Sequence, residues 1–403
     1  MDHHLIAAIE KALDWHGPHA LGRGFARGSI TDPALCPRLL TPATVLDTIM
    51  RRVLGPPQLR CFQNGTELHP DQYLTTQTTR RGQALTMANM DRLAHLLDDG
   101  ATLVLDALDT FDPTMEAACR ALQWWSRELV QVNTYLTTRA TAGFSLHWDD
   151  HDVLILQIAG EKTWEVRGAS RPVPMYRDAE PNTQPGKTIV WSGTLTAGEV
   201  MHIPRGFWHQ ATRTGRDDNG FSLHVTFGFV QRTGVDWLSW AADRARELER
   251  FRHDLDRWGT PQQRHQQQRD LTTAVADVLS TYPPEAYLTA REQERPPHRH
   301  VATRGVFGPP TDVVCVTDFP PCITDHGDRV EVTAAGKQLV LAARTLPAVR
   351  LLLSGNPVNL AGVHEATGID TAALAATLLR EGLCAELTAP LSSGYTGLIT
   401  SAP

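Results

Sequence analysis

The sequence predicts a mainly β protein with helices. It reads as a double-stranded β-helix (jelly-roll) core over residues 130–232, a helical segment over 233–282, a linker over 283–312 and a winged-helix-like domain over 313–403. Three observations carry this reading. Strands and turns alternate from Val130 to Val230, with the two faces of each strand differing in character. Apolar residues then recur at helical spacing from Gly234 onward. Beyond a proline-rich break, two short strands precede three short helices, the order of a winged helix.

A chain of 403 residues suits two or three domains, and 41% hydrophobic with 21% charged residues allows a sizeable core. The net charge of -7 argues against a general polyanion binder. Six cysteines are scattered without a CxxC pair, so neither a zinc site nor a disulfide framework is implied. No basic region followed by an apolar core opens the chain, and no apolar run is long enough to span a bilayer. The expectation is a cytoplasmic protein with no membrane contact.

Residues 1–129 mix helical and extended signals. Helices are expected near Leu5 to Trp15 and from Thr44 to Val53 behind Pro42, with a strand at Leu59 to Gln63 and a turn at Asn64-Gly65. Ala101 to Ala107 reads as a short strand and Thr114 to Leu129 as a helix. Nothing in this region carries chemistry by itself.

The barrel is organised around Phe144 to Val166, FSLHWDDHDVLILQIAGEKTWEV. Residues two apart on a strand share a face, so His147 and Asp149 point at one spot, as metal ligands must. After the apolar run Val153 to Leu156, Ala159-Gly160 predicts a turn into a second strand carrying Lys162. On that strand Glu161, Thr163 and Glu165 share one face, and Lys162, Trp164 and Val166 the other. A lysine on an apolar face is costly unless an anion meets it, and a dicarboxylate cosubstrate would be such an anion. The third ligand is expected from Gly198 to His209, GEVMHIPRGFWH, where a strand ending at Ile203 meets the Pro204-Arg205-Gly206 turn and His209 is presented. His202 and His224 are rivals for that role. Asp150 and His151 compete with the first pair and read as rim hydrogen-bonding groups. Two histidines and one carboxylate leave three coordination positions open, the arrangement of non-haem Fe(II) oxygenases.

Two further strands carry polar faces, Gln131, Asn133, Tyr135 and Thr137 on one and Ser222, His224, Thr226 and Gly228 on the other, as suits a wet pocket inside a barrel. Residues 167–190, rich in Pro, Asn, Arg and Gly, read as a loop near the mouth in which substrate choice is expected to reside. From Gly234 to Trp258 an amphipathic helix is predicted, resuming after Pro261 over Gln262 to Leu279. Their apolar faces need a cover, and a homodimer seam supplies one. Tyr282 to Thr311, with YPPEA, ERPPHRH and FGPP, reads as linker. Strands at Arg329 to Thr333 and Gln338 to Leu341, helices at Leu346 to Leu353, Asn359 to Glu365 and Thr371 to Glu381, and a wing from Leu383 to Thr400 complete the chain. Between Glu331 and Pro403 four basic residues, Lys337, Arg344, Arg350 and Arg380, stand against five acidic ones, Glu331, Glu365, Asp370, Glu381 and Glu386. Too few cations share a face for phosphate neutralisation, so an interaction module is expected and direct DNA binding is not.

His147-Trp148-Asp149, Gly160-Glu161-Lys162-Thr163-Trp164 and Ile203-Pro204-Arg205-Gly206 with His209 resemble the JmjC-type 2-oxoglutarate oxygenases, most of all their ribosomal oxygenase branch with its cupin-like core. The resemblance covers residues 130–230, while the first hundred residues match only loosely. It implies a hydroxylase of an unactivated C–H bond that uses Fe(II), 2-oxoglutarate and O2. In it His147, Asp149 and His209 would hold the iron and Lys162 would pair with the distal carboxylate of the cosubstrate. Tyr135 and Thr226 would help hold that cosubstrate, and Asn133 would line the pocket. The resemblance further implies an N-terminal region packed around the barrel, dimerisation through the helical segment and a winged helix not used for DNA. Its implied substrate is an arginine or histidine side chain of a ribosomal protein.

The loop at 167–190 and the N-terminal region look unlike the better-known members. A hydroxylase of a peptide or amino-acid-derived natural product therefore stands beside the first reading. From another class comes a non-catalytic regulator, with the barrel as ligand sensor and the winged helix as output. The intact ligand set and the near-neutral last domain weigh against it. A cupin isomerase using another divalent ion would leave Lys162 without a role.

Overall fold

The computed structural model describes residues 1–139, 143–176, 182–212, 220–230, 232–294, 299–303 and 305–400. The fold is mixed α/β. Its centre is a ten-stranded sheet whose strands pair antiparallel throughout. The main path runs Ala26–Ser29, Glu199–Ile203, Asp152–Arg167, Ser222–Val230, Leu129–Thr137, Thr102–Leu105, Leu59–Gln63 and Thr66–Glu67. Ile189–Thr196 and Trp208–Thr212 join it on either side of the far half of Asp152–Arg167.

That central strand corrects one expectation, because the chain does not turn at Ala159-Gly160. A single 16-residue strand runs through, and at this point it changes partners. Asp152 to Gly160 pairs with Glu199–Ile203 and Ser222–Val230, and Glu161 to Arg167 with Ile189–Thr196 and Trp208–Thr212. A tight two-residue hairpin of the favoured type needs positive φ at both central residues. Here only Gly160 has it, at φ 66°, and the consequence is an irregular register opposite Leu223 and His224. A Cβ at Gly160 would lie 1.8 Å from the Phe221 carbonyl oxygen. Gly160→Ala therefore meets both backbone strain and overlap, and the unfolding free energy in denaturant is expected to fall by about 2–5 kcal/mol.

The apolar run in this strand has a physical reason. Leu154 and Leu156 enter one core with Val132, Val225 and Phe227, whereas Val153 and Ile155 enter another with Trp164, Val166, Leu195 and Ile203. A strand buried on both faces needs apolar residues at every position. Farther along only one face is buried, and the alternation of Lys162, Trp164 and Val166 inside with Glu161, Thr163 and Glu165 outside appears as expected.

Ahead of residue 130 the expected elements form as His4–Leu13, Pro42–Arg51, Leu59–Gln63, Thr102–Leu105 and Pro113–Ser126. Thr41 and Asp112 cap two of these helices by accepting from backbone N–H groups. Four of the strands before residue 130 extend the central sheet, with Thr102–Leu105 pairing directly to Leu129–Thr137. An additional hairpin, Leu74–Thr78 with Ala84–Ala88, was not foreseen.

After the sheet, the long amphipathic helix expected to reach Trp258 stops early. Gly234–Ala245 is followed by the short Glu249–Arg252, and the Asp256 carboxylate accepts from the Trp258 and Gly259 backbone N–H groups. This local bonding competes with helix continuation and folds the chain back toward Pro261–Thr281, where Gln267 accepts from the Asp256 N–H. The expected linker also begins later than its prolines suggest. Pro284 stands at the first helical position of Pro284–Glu292, where its missing N–H is harmless. Residues 295–298, within the expected ERPPHRH linker, lie outside the described residues.

In the last part of the chain Val313, Val330, Val332, Val349, Leu352 and Leu378 share a separate core. The expected strands and helices form as Arg329–Ala334, Lys337–Ala342, Leu346–Leu352, Leu360–Thr367 and Thr371–Arg380. Leu383 to Thr400 does not make the expected hairpin wing. Cys384–Glu386 pairs with Asp312–Cys315, and Ala389–Ser393 then packs on the Pro113–Ser126 helix.

Candidate metal centre

His147 and His209 face each other across an isolated antiparallel bridge in which each backbone N–H donates to the other's carbonyl oxygen, at 3.1 and 2.7 Å. This corrects the expectation that His147 and Asp149 share a regular strand. The Phe207 N–H, which a second pair would use, donates instead to the Pro204 carbonyl oxygen at 3.1 Å in the turn where Gly206 adopts φ 80°, so the ladder lasts one residue pair. The Gly206 N–H then donates to the Asp149 carbonyl oxygen at 2.9 Å and fixes the second ligand segment against the first.

The three side chains converge all the same. One ligand atom from each of His147, Asp149 and His209 lies within 4.8 Å of the other two. His209 Nε2 is 3.5 Å from Asp149 Oδ2, and the two imidazole centroids are 4.4 Å apart. In both histidines Nδ1 is held by a backbone carbonyl oxygen, Ser145 at 2.8 Å and Phe207 at 3.1 Å. A donating Nδ1–H leaves Nε2 as the lone-pair ligand on each ring. Burial, against the nearby Asp149 carboxylate and with help from His147, pushes the His209 imidazole down to about 4, so it is neutral at physiological pH. His209 is buried and its two partners are half-buried, which leaves the centre approachable from the His147 and Asp149 side.

The set fits a ferrous ion. Two neutral imidazole nitrogens and one carboxylate oxygen provide three donors of the right type and leave half of an octahedron open. Lys162 is only 2% exposed, and its ammonium donates to Thr137 Oγ1 at 3.2 Å, which is itself bonded to Thr102 Oγ1. Around it the Tyr135 ring stacks on His224 at 4.6 Å, and Trp164 meets His224 edge-on at 5.4 Å. Burial raises the Tyr135 phenol against a hydrogen bond from Asn133. Asn133 Oδ1 accepts from the Ala107 N–H at 3.0 Å, which fixes the amide that bonds the Tyr135 hydroxyl. Thr226 sits opposite Asn133, on the strand that carries His224 opposite Tyr135.

The rival histidines fall elsewhere. His202 is a structural residue that donates to the Gly24 carbonyl oxygen at 2.7 Å, with its ring edge-on to Trp15. His224 is held neutral by burial and by the Lys162 ammonium, and its Nδ1 is a buried polar atom with no partner. An unpartnered ring nitrogen that can carry the imidazole proton, beside a buried lysine, fits a pocket for a carboxylate. His151 bonds Asp150 at 3.4 Å and overlies Gly228, as expected of rim groups. Sequence reasoning missed Tyr176, whose hydroxyl reaches Asp149 from the rim loop. The turn expected at Asn64-Gly65 forms, and its unforeseen part is the bridge from Gly65 to Phe144, which brings Phe62 against Phe144 at 4.2 Å and braces the segment that carries His147.

Fold and centre together define a class: a mixed α/β fold carrying a two-histidine, one-carboxylate site. Residues 109–236 match the JmjC domain family model. The chain is 37% identical over 133 residues to the bifunctional lysine-specific demethylase and histidyl-hydroxylase NO66 of Caenorhabditis briggsae, covering 32% of this chain and 16% of that protein. It is 33% identical over 138 residues to ribosomal oxygenase 1 of Gallus gallus, covering 33% and 22%. The chain thus spans less than a quarter of the length of either relative. A structure of the Escherichia coli ribosomal oxygenase YcfD with cobalt and 2-oxoglutarate superposes with a TM-score of 0.54 at 16% identity. It covers 91% of this chain and 95% of that one, a likeness of fold over nearly the whole length.

Proposed function

We propose that this chain is an Fe(II)- and 2-oxoglutarate-dependent hydroxylase of an amino-acid side chain in a protein. The observation that carries the proposal is the facial set His147, Asp149 and His209, linked through the Trp164 ring to His224, which lies near the buried Lys162 ammonium. When bound, the ferrous ion supplies oxidative decarboxylation of 2-oxoglutarate by O2 to succinate and CO2, coupled to hydroxylation of a C–H bond. His147 and His209 offer Nε2 and Asp149 one carboxylate oxygen to the metal. Lys162, held by Thr137, pairs with the distal carboxylate of the cosubstrate, a charge-assisted bond strengthened by burial. Tyr135, His224 and Thr226 complete the polar wall, while Trp164 and Val166 keep that end of the pocket dry.

An arginine or histidine of a ribosomal protein is the substrate class proposed; the relatives' names, a histidyl-hydroxylase and a ribosomal oxygenase, support the histidine and the ribosomal target. We further propose that residues 130–232 act as a jelly-roll unit, that 233–282 dimerises and that 313–403 is a winged-helix-like interaction module rather than a DNA reader. Exposed Leu238, Leu248 and Val235 support a covered helical face. Among the described residues no helix is long and apolar enough to cross a membrane.

Succinate release from 2-oxoglutarate by the purified protein with iron and ascorbate tests the reading. Lys162→Met keeps the apolar stem and removes the charge. Its KM for 2-oxoglutarate is expected to rise about 10–100-fold, the range for a hydrogen bond to a charged group. An unchanged KM would remove Lys162 from the cosubstrate site.

A further inference from the structure

The loop that follows the central strand is bonded to both ligand-bearing segments at once. Trp208, next to His209, donates from Nε1 to Ser170 Oγ at 2.9 Å, and Ser170 donates to Asn182 Oδ1 at 3.0 Å. Trp148, between His147 and Asp149, donates from Nε1 to the Asn182 carbonyl oxygen at 2.9 Å. Pro174 lies on the Gly206 turn, where a Cβ would come within 2.3 Å of its Cδ. Tyr176 ends this path. Its ring rests on Trp148 at 4.8 Å, and its hydroxyl proton is shared between the Trp148 carbonyl oxygen at 3.1 Å and Asp149 Oδ1 at 3.3 Å. The other carboxylate oxygen, Oδ2, is the one that faces His209 Nε2.

The geometry points to Tyr176 as a positioning residue for the metal centre, a role beyond the rim-loop part expected for this segment. By occupying Asp149 Oδ1 its hydroxyl fixes the carboxylate rotation, presents Oδ2 alone and disfavours two-oxygen ligation that would consume an open coordination position. Carboxylates that ligate metals are themselves held by hydrogen bonds, and losing such a bond weakens metal affinity about 10–100-fold. The loop thereby couples the rim, where a substrate arrives, to the ligand that completes the metal set. This inference rests on the metal-site reading above.

Anaerobic titration of the full chain with Co(II), followed by its visible absorption bands, tests it. Tyr176→Phe keeps the ring on Trp148 and removes only the hydroxyl. Its Co(II) Kd is expected to rise about tenfold or more, with altered band positions and intensity and an unchanged melting temperature. A Kd and spectrum equal to wild type would overturn the proposal. So would a weakened Kd that comes with an equally lowered melting temperature and wild-type bands, which would mark a structural role. Asp149→Ala separates the two readings: if wild type and Asp149→Ala bind Co(II) alike, the metal-site reading falls and this inference with it.

Discussion

Asp149→Ala is expected to lose Co(II) and Fe(II) binding by more than about 100-fold and to release no detectable succinate. The estimate starts from the 10–100-fold effects of groups that only support a ligand, which loss of the ligand itself must exceed. Asp149 supplies the single negative charge in a set otherwise made of two neutral rings, so its removal takes away most of the attraction for a divalent ion. Backbone architecture survives the change. The Asp149 carbonyl oxygen still accepts from the Gly206 N–H, and the His147–His209 bridge uses main-chain atoms only. The melting temperature of the metal-free variant should therefore match wild type, while metal no longer raises it as it does in wild type by preferential binding to the native state. A variant that binds cobalt normally would displace Asp149 from the centre.

Much of this centre was legible in the chain because its donors sit near one another or beside strong punctuation. His147 and Asp149 are two residues apart, and His209 follows a Pro-Arg-Gly turn that returns the chain whichever strand precedes it. Lys162 announced itself through alternation, since Trp164 and Val166 share its face. The same alternation could not reveal that Gly160 bends one continuous strand, because Ala159-Gly160 satisfies the composition of a turn while only Gly160 takes positive φ. Pairing of Thr102–Leu105 with Leu129–Thr137, and of Ala26–Ser29 with Glu199–Ile203, is long-range and leaves no local mark. Tyr176 was invisible for a related reason: it lies in an irregular loop without a period, and its importance comes from the Asp149 carboxylate it meets across the site. The helix expected through Trp258 breaks first at Arg246 to Leu248, where the backbone bonds tighten to i−3, and Asp256 then offers Trp258 and Gly259 a competing acceptor that the apolar spacing hid.

Away from the metal, the largest effect on stability is expected at Arg120. It is 5% exposed on the Pro113–Ser126 helix, bonded to Glu116 and donating to the Tyr395 hydroxyl at 2.6 Å, while Glu116 also meets His300 at 2.7 Å. One buried guanidinium thus joins the helix leading into the central sheet to the last part of the chain. Arg120→Met should lower the unfolding free energy by about 3–5 kcal/mol, because a buried carboxylate loses its main partner. Arg120→Met with Glu116→Leu should recover much of that loss, since removing both charges leaves neither unpaired. Burial alone would raise the Glu116 carboxyl, but the bonds from His300 and Arg120 outweigh it and hold the group at about 2 against an ordinary 4.5. A carboxyl depressed on folding contributes stability that is complete above the unfolded pKa and is lost as pH falls through the folded one. For Glu116 that contribution is about 3 kcal/mol at neutral pH, disappearing between pH 4.5 and about 2. Denaturant unfolding of wild type and the double variant across this window checks the assignment: wild type should lose about 3 kcal/mol relative to the double variant on acidification, and a constant difference would mean that Glu116 is not ionised in the native network.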